Sequence, residues 1–178
     1  MKRLASNESE KAIEDFQSAA TYPENFEAAA PLGGGQNAKI FYLTGLAFEK
    51  AGDADNARLA YERSVDPQNA PKTLGTEPTY YRVLALRKLD RKDEAEKLTA
   101  DFANVVAERS SKTPTVDEFS KFGEEGPIAE QNAATYFLQG LVARLQGEQE
   151  QAEKAFDVAA KLNRHLIWAP IMRDSKLE

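Results

Sequence analysis

Apolar residues recur along this chain at helical intervals. No stretch alternates apolar and polar positions with the β-branched enrichment that marks a strand. From 38 to 50, AKIFYLTGLAFEK sets Ile40, Phe41, Thr44, Gly45 and Phe48 along one stripe of a helix. AGDADNA follows, with a break at Gly52 and an N-cap at Asp53. A second helix over 54–66 is stopped by Asp66-Pro67, because proline disfavours the helical conformation in the residue before it. The unit is a helix, a tight turn and a helix.

The unit recurs. YYRVLALRKLDRKDEAEKL over 80–98 is a second copy, and residues 136–162, which open on YFLQGLVARLQGEQEQAEKAF, are a third. Residues 45, 83 and 140 are each followed seven positions on by Gly52, Asp90 and Gly147, and five further on by Ala57, Ala95 and Ala152. Fixed internal spacing is the mark of a repeat architecture. A glycine inside a helix costs about 0.5–1 kcal/mol relative to alanine, so the chain must use the missing side chain. Gly45, Val83 and Gly140 are therefore read as the positions where two helices cross, facing Ala57, Ala95 and Ala152.

A half copy opens the chain. NESEKAIEDFQSAATYP carries an Asn7…Glu10 capping pair, then Ala12, Phe16, Ala19 and Pro23, the pattern of a second helix without its first. A chain that opens halfway through a unit reads as the C-terminal piece of a larger protein. The reading is one helical repeat domain over 1–178: a half repeat at 7–23, repeats at 36–67, 76–109 and 131–163, an insertion at 110–130, and a capping tail at 164–178. The insertion is expected to hold a short helix capped at Thr115 with Glu118 three residues on, and its Phe119 and Phe122 need cover.

These units resemble tetratricopeptide repeats, helix pairs of about 34 residues with the pattern W-x2-L-G-x2-Y … A-x3-F … P. One copy has Phe41-x2-Thr44-Gly45-x2-Phe48, then Ala57-x3-Tyr61 and Pro67. The last has Tyr136-x2-Gln139-Gly140-x2-Ala143, then Ala152-x3-Phe156. The middle copy departs at Thr79, Arg82, Val83 and Thr99 but keeps Leu86 and Ala95. The resemblance implies an all-α fold, a right-handed α-α superhelix of about three helix pairs plus a leading helix, whose function is protein–protein interaction or scaffolding. The unequal linkers are also similar to helical ends of large bacterial proteins with a carbohydrate-enzyme-like domain upstream. That likeness implies, as the alternative, an accessory helical domain of a carbohydrate-related or transport protein.

In such a stack the first helices line a concave surface, where solenoids bind. The stripe flanking the buried one runs Lys39, Tyr42, Leu46, Glu49, then Tyr80, Leu84, Arg87, then Phe137, Leu141, Arg144. These are the candidate peptide-binding residues: an apolar groove suited to an amphipathic helix or an extended apolar segment. Leucines stand where the family's carboxylate-gripping groove has asparagines, which argues against a C-terminal carboxylate as ligand. The groove is either open or covered by the chain's own tail, RHLIWAPIMRD, whose Leu166, Ile167, Trp168, Ile171 and Met172 are too apolar to stand in water.

Composition narrows the chemistry. The chain is 178 residues, 42% hydrophobic and 29% charged, with net charge −6. The acidic balance argues against a nucleic-acid partner, and no apolar run reaches the roughly 18–20 residues of a membrane helix. No signal peptide is visible, so a cytoplasmic location is favoured over a periplasmic one. With no cysteine and one histidine, His165, neither a zinc cage nor a catalytic triad has support. His165 follows KLN at a helix end and is expected to meet helix carbonyls or solvent. PLGGGQNAK lacks phosphate-loop spacing and reads as an inter-repeat loop, and Glu124 and Glu125 in FGEEGP read as a solvated turn. Arg82, Arg87, Lys88, Arg91 and Lys92 read as a solvated basic face. No enzyme activity, metal or cofactor is expected; a protein or peptide partner is, and exposed apolar ends would suit a homodimer.

Overall fold

The computed structural model describes residues 6, 8–20, 37–112 and 125–174. Among them it is all-helical, with eight α-helices and no strand: α1 Ser9–Ala20, α2 Asn37–Lys50, α3 Ala54–Val65, α4 Glu77–Lys88, α5 Lys92–Lys112, α6 Glu125–Leu145, α7 Gln149–Leu162 and α8 Trp168–Asp174. A 3-10 turn, Pro67–Asn69, follows α3. The Asn7 cap, Pro23, the glycine-rich loop, Thr115, Glu118, Phe119, Phe122 and Glu124 lie outside the described residues. The chain divides into two compact units, Met1–Leu98 and Thr99–Glu178, where the sequence reads as one repeat domain; the boundary falls inside α5.

In the first unit, α2 packs against α1, α3 and α4, and α3 also packs against α4. Nine residues of α2 between Ala38 and Ala47 are buried, so this helix is the unit's core rather than a surface element. The Ser64 hydroxyl donates to the Ala38 carbonyl at 2.8 Å and fixes the end of α3 beside the start of α2. In the second unit α6 packs on α7 and α7 on α8. Ala169 and Met172 are the buried side of α8.

The three tight turns share one backbone geometry. Gly52 and Gly147 have φ of 80°, and Asp90, at the equivalent position, has φ of 57°. The N–H groups of Gly52, Asp90 and Gly147 donate to the carbonyls of Glu49, Arg87 and Arg144. Those of Asp53, Arg91 and Glu148 reach back five residues to Phe48, Leu86 and Ala143. This paired closure is the Schellman motif, which satisfies the carbonyls a helix end leaves open and needs a left-handed residue. The next helix starts at once: Ala57, Ala95 and Ala152 donate to the carbonyls of Asp53, Arg91 and Glu148 at 3.0 Å in each case. Asp53 caps α3 by accepting from the Asn56 N–H at 3.1 Å.

Asp90 is thus the one non-glycine among the described residues in a conformation that favours glycine. Asp90→Gly is expected to stabilise the chain by about 1 kcal/mol, and Gly147→Ala to destabilise it by a similar amount. Urea denaturation of the two variants checks both signs.

The crossing positions have a different neighbour from the one the sequence suggests. A Cβ built on Gly45 would lie 2.4–2.8 Å from three atoms of the Tyr61 ring, and one on Gly140 would lie 2.5–2.9 Å from the Phe156 ring. Ala57 and Ala152 are buried, but the space vacated by each glycine is taken by the aromatic ring four residues later. In the middle copy both positions differ together, with Val83 for the glycine and Thr99 for the ring.

Candidate functional site

Most residues of the candidate stripe are buried. Lys39, Tyr42, Leu46, Tyr80, Leu84, Phe137, Leu141 and Arg144 are buried; only Glu49 and Arg87 are exposed. Spacing placed each trio on one face, but a helix buried on most sides has no free face for that stripe to occupy.

In the first unit the stripe is an aromatic and ionic cluster. The Tyr42 ring lies 5.7 Å from both Tyr61 and Tyr81, and Tyr80 meets Tyr81 edge-on at 5.2 Å. The first two pairs are tilted and the third is T-shaped, a favoured aromatic geometry. Lys39, 7% exposed, pairs with Glu77 at 2.8 Å and so ties α2 to α4. Burial pushes the Lys39 ammonium below the ordinary lysine range, while the Glu77 carboxylate pulls it back up. The Tyr81 hydroxyl donates to the same carboxylate oxygen at 3.4 Å; burial first, then the Glu77 charge, hold its phenol well above the usual value. Glu49 accepts from the Tyr61 hydroxyl at 2.7 Å and pairs with Lys88 at 3.1 Å. Burial and then the Glu49 carboxylate raise the Tyr61 phenol. These groups hold one another, and the cluster works as a clamp across three helices.

In the second unit the Phe137 ring lies 5.7 Å from Phe156, and Leu141 is fully buried. The Arg144 guanidinium lies 5.4 Å from the centre of the Phe156 ring and donates through Nη2 to the Met172 carbonyl, in the last turn of α8. Arginine at a helix C-terminus satisfies an open carbonyl and complements the negative end of the dipole.

Open surface lies on another helix face. A groove of about 620 Å³ in the first unit has residues of α1, α2 and α3 in its lining, among them Ala20, Thr44, Phe48, Asn56, Leu59 and Ala60. A second, of about 470 Å³ in the second unit, has Gln139, Ala143, Gln151 and Ala155 in its lining. Thr44, Phe48, Asn56 and Ala60 stand at the same register as those four residues, each pair 95 positions apart. Both grooves are thus products of the repeat. The first is the more apolar: Leu59 is 56% exposed, and the Arg63 guanidinium stacks 4.2 Å above the Phe41 ring. In the sequence Phe41, Thr44 and Phe48 read as the packing stripe of their helix, not as a groove lining. Leu59 was the available signal, a large apolar residue off the Ala57, Ala60, Tyr61, Ser64 stripe.

The remaining candidates disperse. Arg82 donates to the Val65 carbonyl, Lys88 pairs with Glu49, Arg91 grips Glu94 with two 2.6 Å bonds, and Lys92 pairs with Asp90. Those four basic residues face four different partners and form no common anion grip. His165 is exposed in the turn between α7 and α8, where its backbone N–H donates to the Asn163 side chain. Glu125 is the first residue of α6. Among the described residues no group of three potential ligands could hold a metal ion, and no helix is long and apolar enough to cross a membrane. No family model, curated protein or solved structure matches the chain.

Proposed function

We propose that this chain is a protein-interaction and scaffolding module built as a tetratricopeptide-like stack. The observation that carries the reading is the threefold repetition of one turn, with a left-handed residue at the same position and the same pair of backbone hydrogen bonds. Repeated helix pairs bury one another's apolar faces and present the grooves between them at regular intervals, the arrangement solenoids use to bind extended or helical segments. The partner surface is assigned to the grooves at register 44, 48, 56, 60 and 139, 143, 151, 155, with Leu59 as the anchor of the first. An amphipathic helix suits it: apolar side chains against Phe41, Phe48 and Leu59, polar ones toward Asn56, Glu62 and Arg63.

A photo-crosslinking amino acid at position 59 or 155, carried by the chain in its own cells, should give a discrete protein adduct, while one at the exposed Glu96 should not. Absence of an adduct from both groove positions would overturn the reading.

Burial of eight of the ten stripe residues favours a second reading, the self-covered accessory domain of a larger carbohydrate-related or transport protein. Adducts confined to the same polypeptide would support that reading instead.

A further inference from the structure

Arg144 is 6% exposed, and its Nη1 is buried with no hydrogen-bond partner; no carboxylate lies within ion-pair distance of it among the described residues. A buried cation is ordinarily paired, and an unsatisfied buried donor calls for an explanation. What the guanidinium holds is the Met172 carbonyl, at the negative end of α8. That helix has seven residues, too few to be stable by itself. It packs on α7 with Ala169 and Met172 buried, three residues apart on one face, while Ile171 and, just before the helix, Ile167 are exposed. A surface pair, Arg173 to Asp157 at 2.8 Å, also ties it to α7.

We propose that α8 is a displaceable strap occupying the site of an acidic, amphipathic helix from a partner protein, with Arg144 as the residue that receives the partner's side-chain carboxylate. The strap itself supplies the template: a small and a large apolar side chain at i and i+3, and partial negative charge beside Arg144. A carboxylate offers the guanidinium two full acceptors where the strap offers one carbonyl, so the exchange would satisfy Nη1 as well. Lifting α8 would uncover its apolar seat on α7. A free anion leaves that seat wet, whereas a helix with its own Ala-x-x-Met face covers it. Binding and strap release are therefore coupled: the ligand's apparent affinity falls by the fraction of chains in which the strap is closed.

This inference rests on the reading of the chain as a protein-binding module. The probe is a capped helical peptide with an Ala-x-x-Met face and a Glu in the turn after it, with the Gln version as control, titrated into the full chain. Saturating Glu peptide should speed hydrogen exchange in 168–174 at least tenfold without changing α2–α4. The Gln peptide should bind at least tenfold more weakly, and Arg144→Met should abolish the difference between them. Ala169→Glu, which unseats the strap, should tighten Glu-peptide binding at least tenfold and keeps the test open should Arg144→Met fold poorly. Unchanged exchange in α8, or equal affinity for both peptides, would overturn the proposal. Equal release of α8 by millimolar acetate would overturn it in favour of a small-anion site. In either case adducts from position 59 would still report on the broader module reading, so the two can fail separately.

Discussion

Phe156→Ala should destabilise the second unit by about 3–5 kcal/mol, the range for removing a fully buried aromatic ring. The ring is 1% exposed, sits over Gly140, meets Phe137 and lies under the Arg144 guanidinium. Its loss would leave a void bordered by a backbone with no side chain to fill it, so the site cannot collapse cheaply. Hydrogen exchange resolved by unit is the appropriate readout, because the two compact units need not unfold together. Protection should fall across α6 and α7 and stay unchanged across α2–α4. Global loss of a few tenths of a kcal/mol would contradict the packing described for this ring.

Gly140→Leu and Gly45→Leu should each cost about 1–3 kcal/mol through overpacking. The reason is spatial rather than conformational. Both glycines are helical, and helix propensity by itself would favour the substitution. A Cβ alone would already stand 2.4–2.9 Å from ring carbons, inside any normal contact distance. The two losses should appear in different units, Gly45→Leu in the first and Gly140→Leu in the second. An unchanged denaturation midpoint for both variants would sink the explanation.

The helix–turn–helix units were legible in the sequence because their signals are local. Gly52, Asp90 and Gly147 mark left-handed turns, Asp53 is a cap, and Asp66-Pro67 stops a helix; each acts through its own backbone within a few residues. The neighbour of each glycine was harder to read. Alanines at 57 and 152 look like its natural counterparts, but an aromatic four residues on reaches farther across the crossing than a methyl group can.

The start of α6 was missed for another reason. FGEEGP reads as a solvated turn before a repeat that begins at 131, yet the helix starts at Glu125, because a proline in the first turn removes only an N–H that has no helical partner anyway. The burial of most of the stripe was not legible because periodicity tells buried from exposed only when a helix has one wet face. α2 is buried from Ala38 to Ala47 apart from Ile40, so its second stripe, Tyr42 and Leu46, belongs to the core as much as its first. The open grooves depend on how separate helices meet, and only Leu59 hinted at them in the linear pattern.

The central structural claim is that the first and last complete repeats close by placing an aromatic ring in the space a glycine leaves. A double-mutant cycle in urea with Gly140→Ala, Phe156→Leu and the pair tests it most directly. Each single change should destabilise the chain, and the pair should cost less than their sum by about 0.5–3 kcal/mol, because the smaller side chain makes room for the added methyl. Costs that add to within about 0.5 kcal/mol would mean that the glycine and the ring do not share that space.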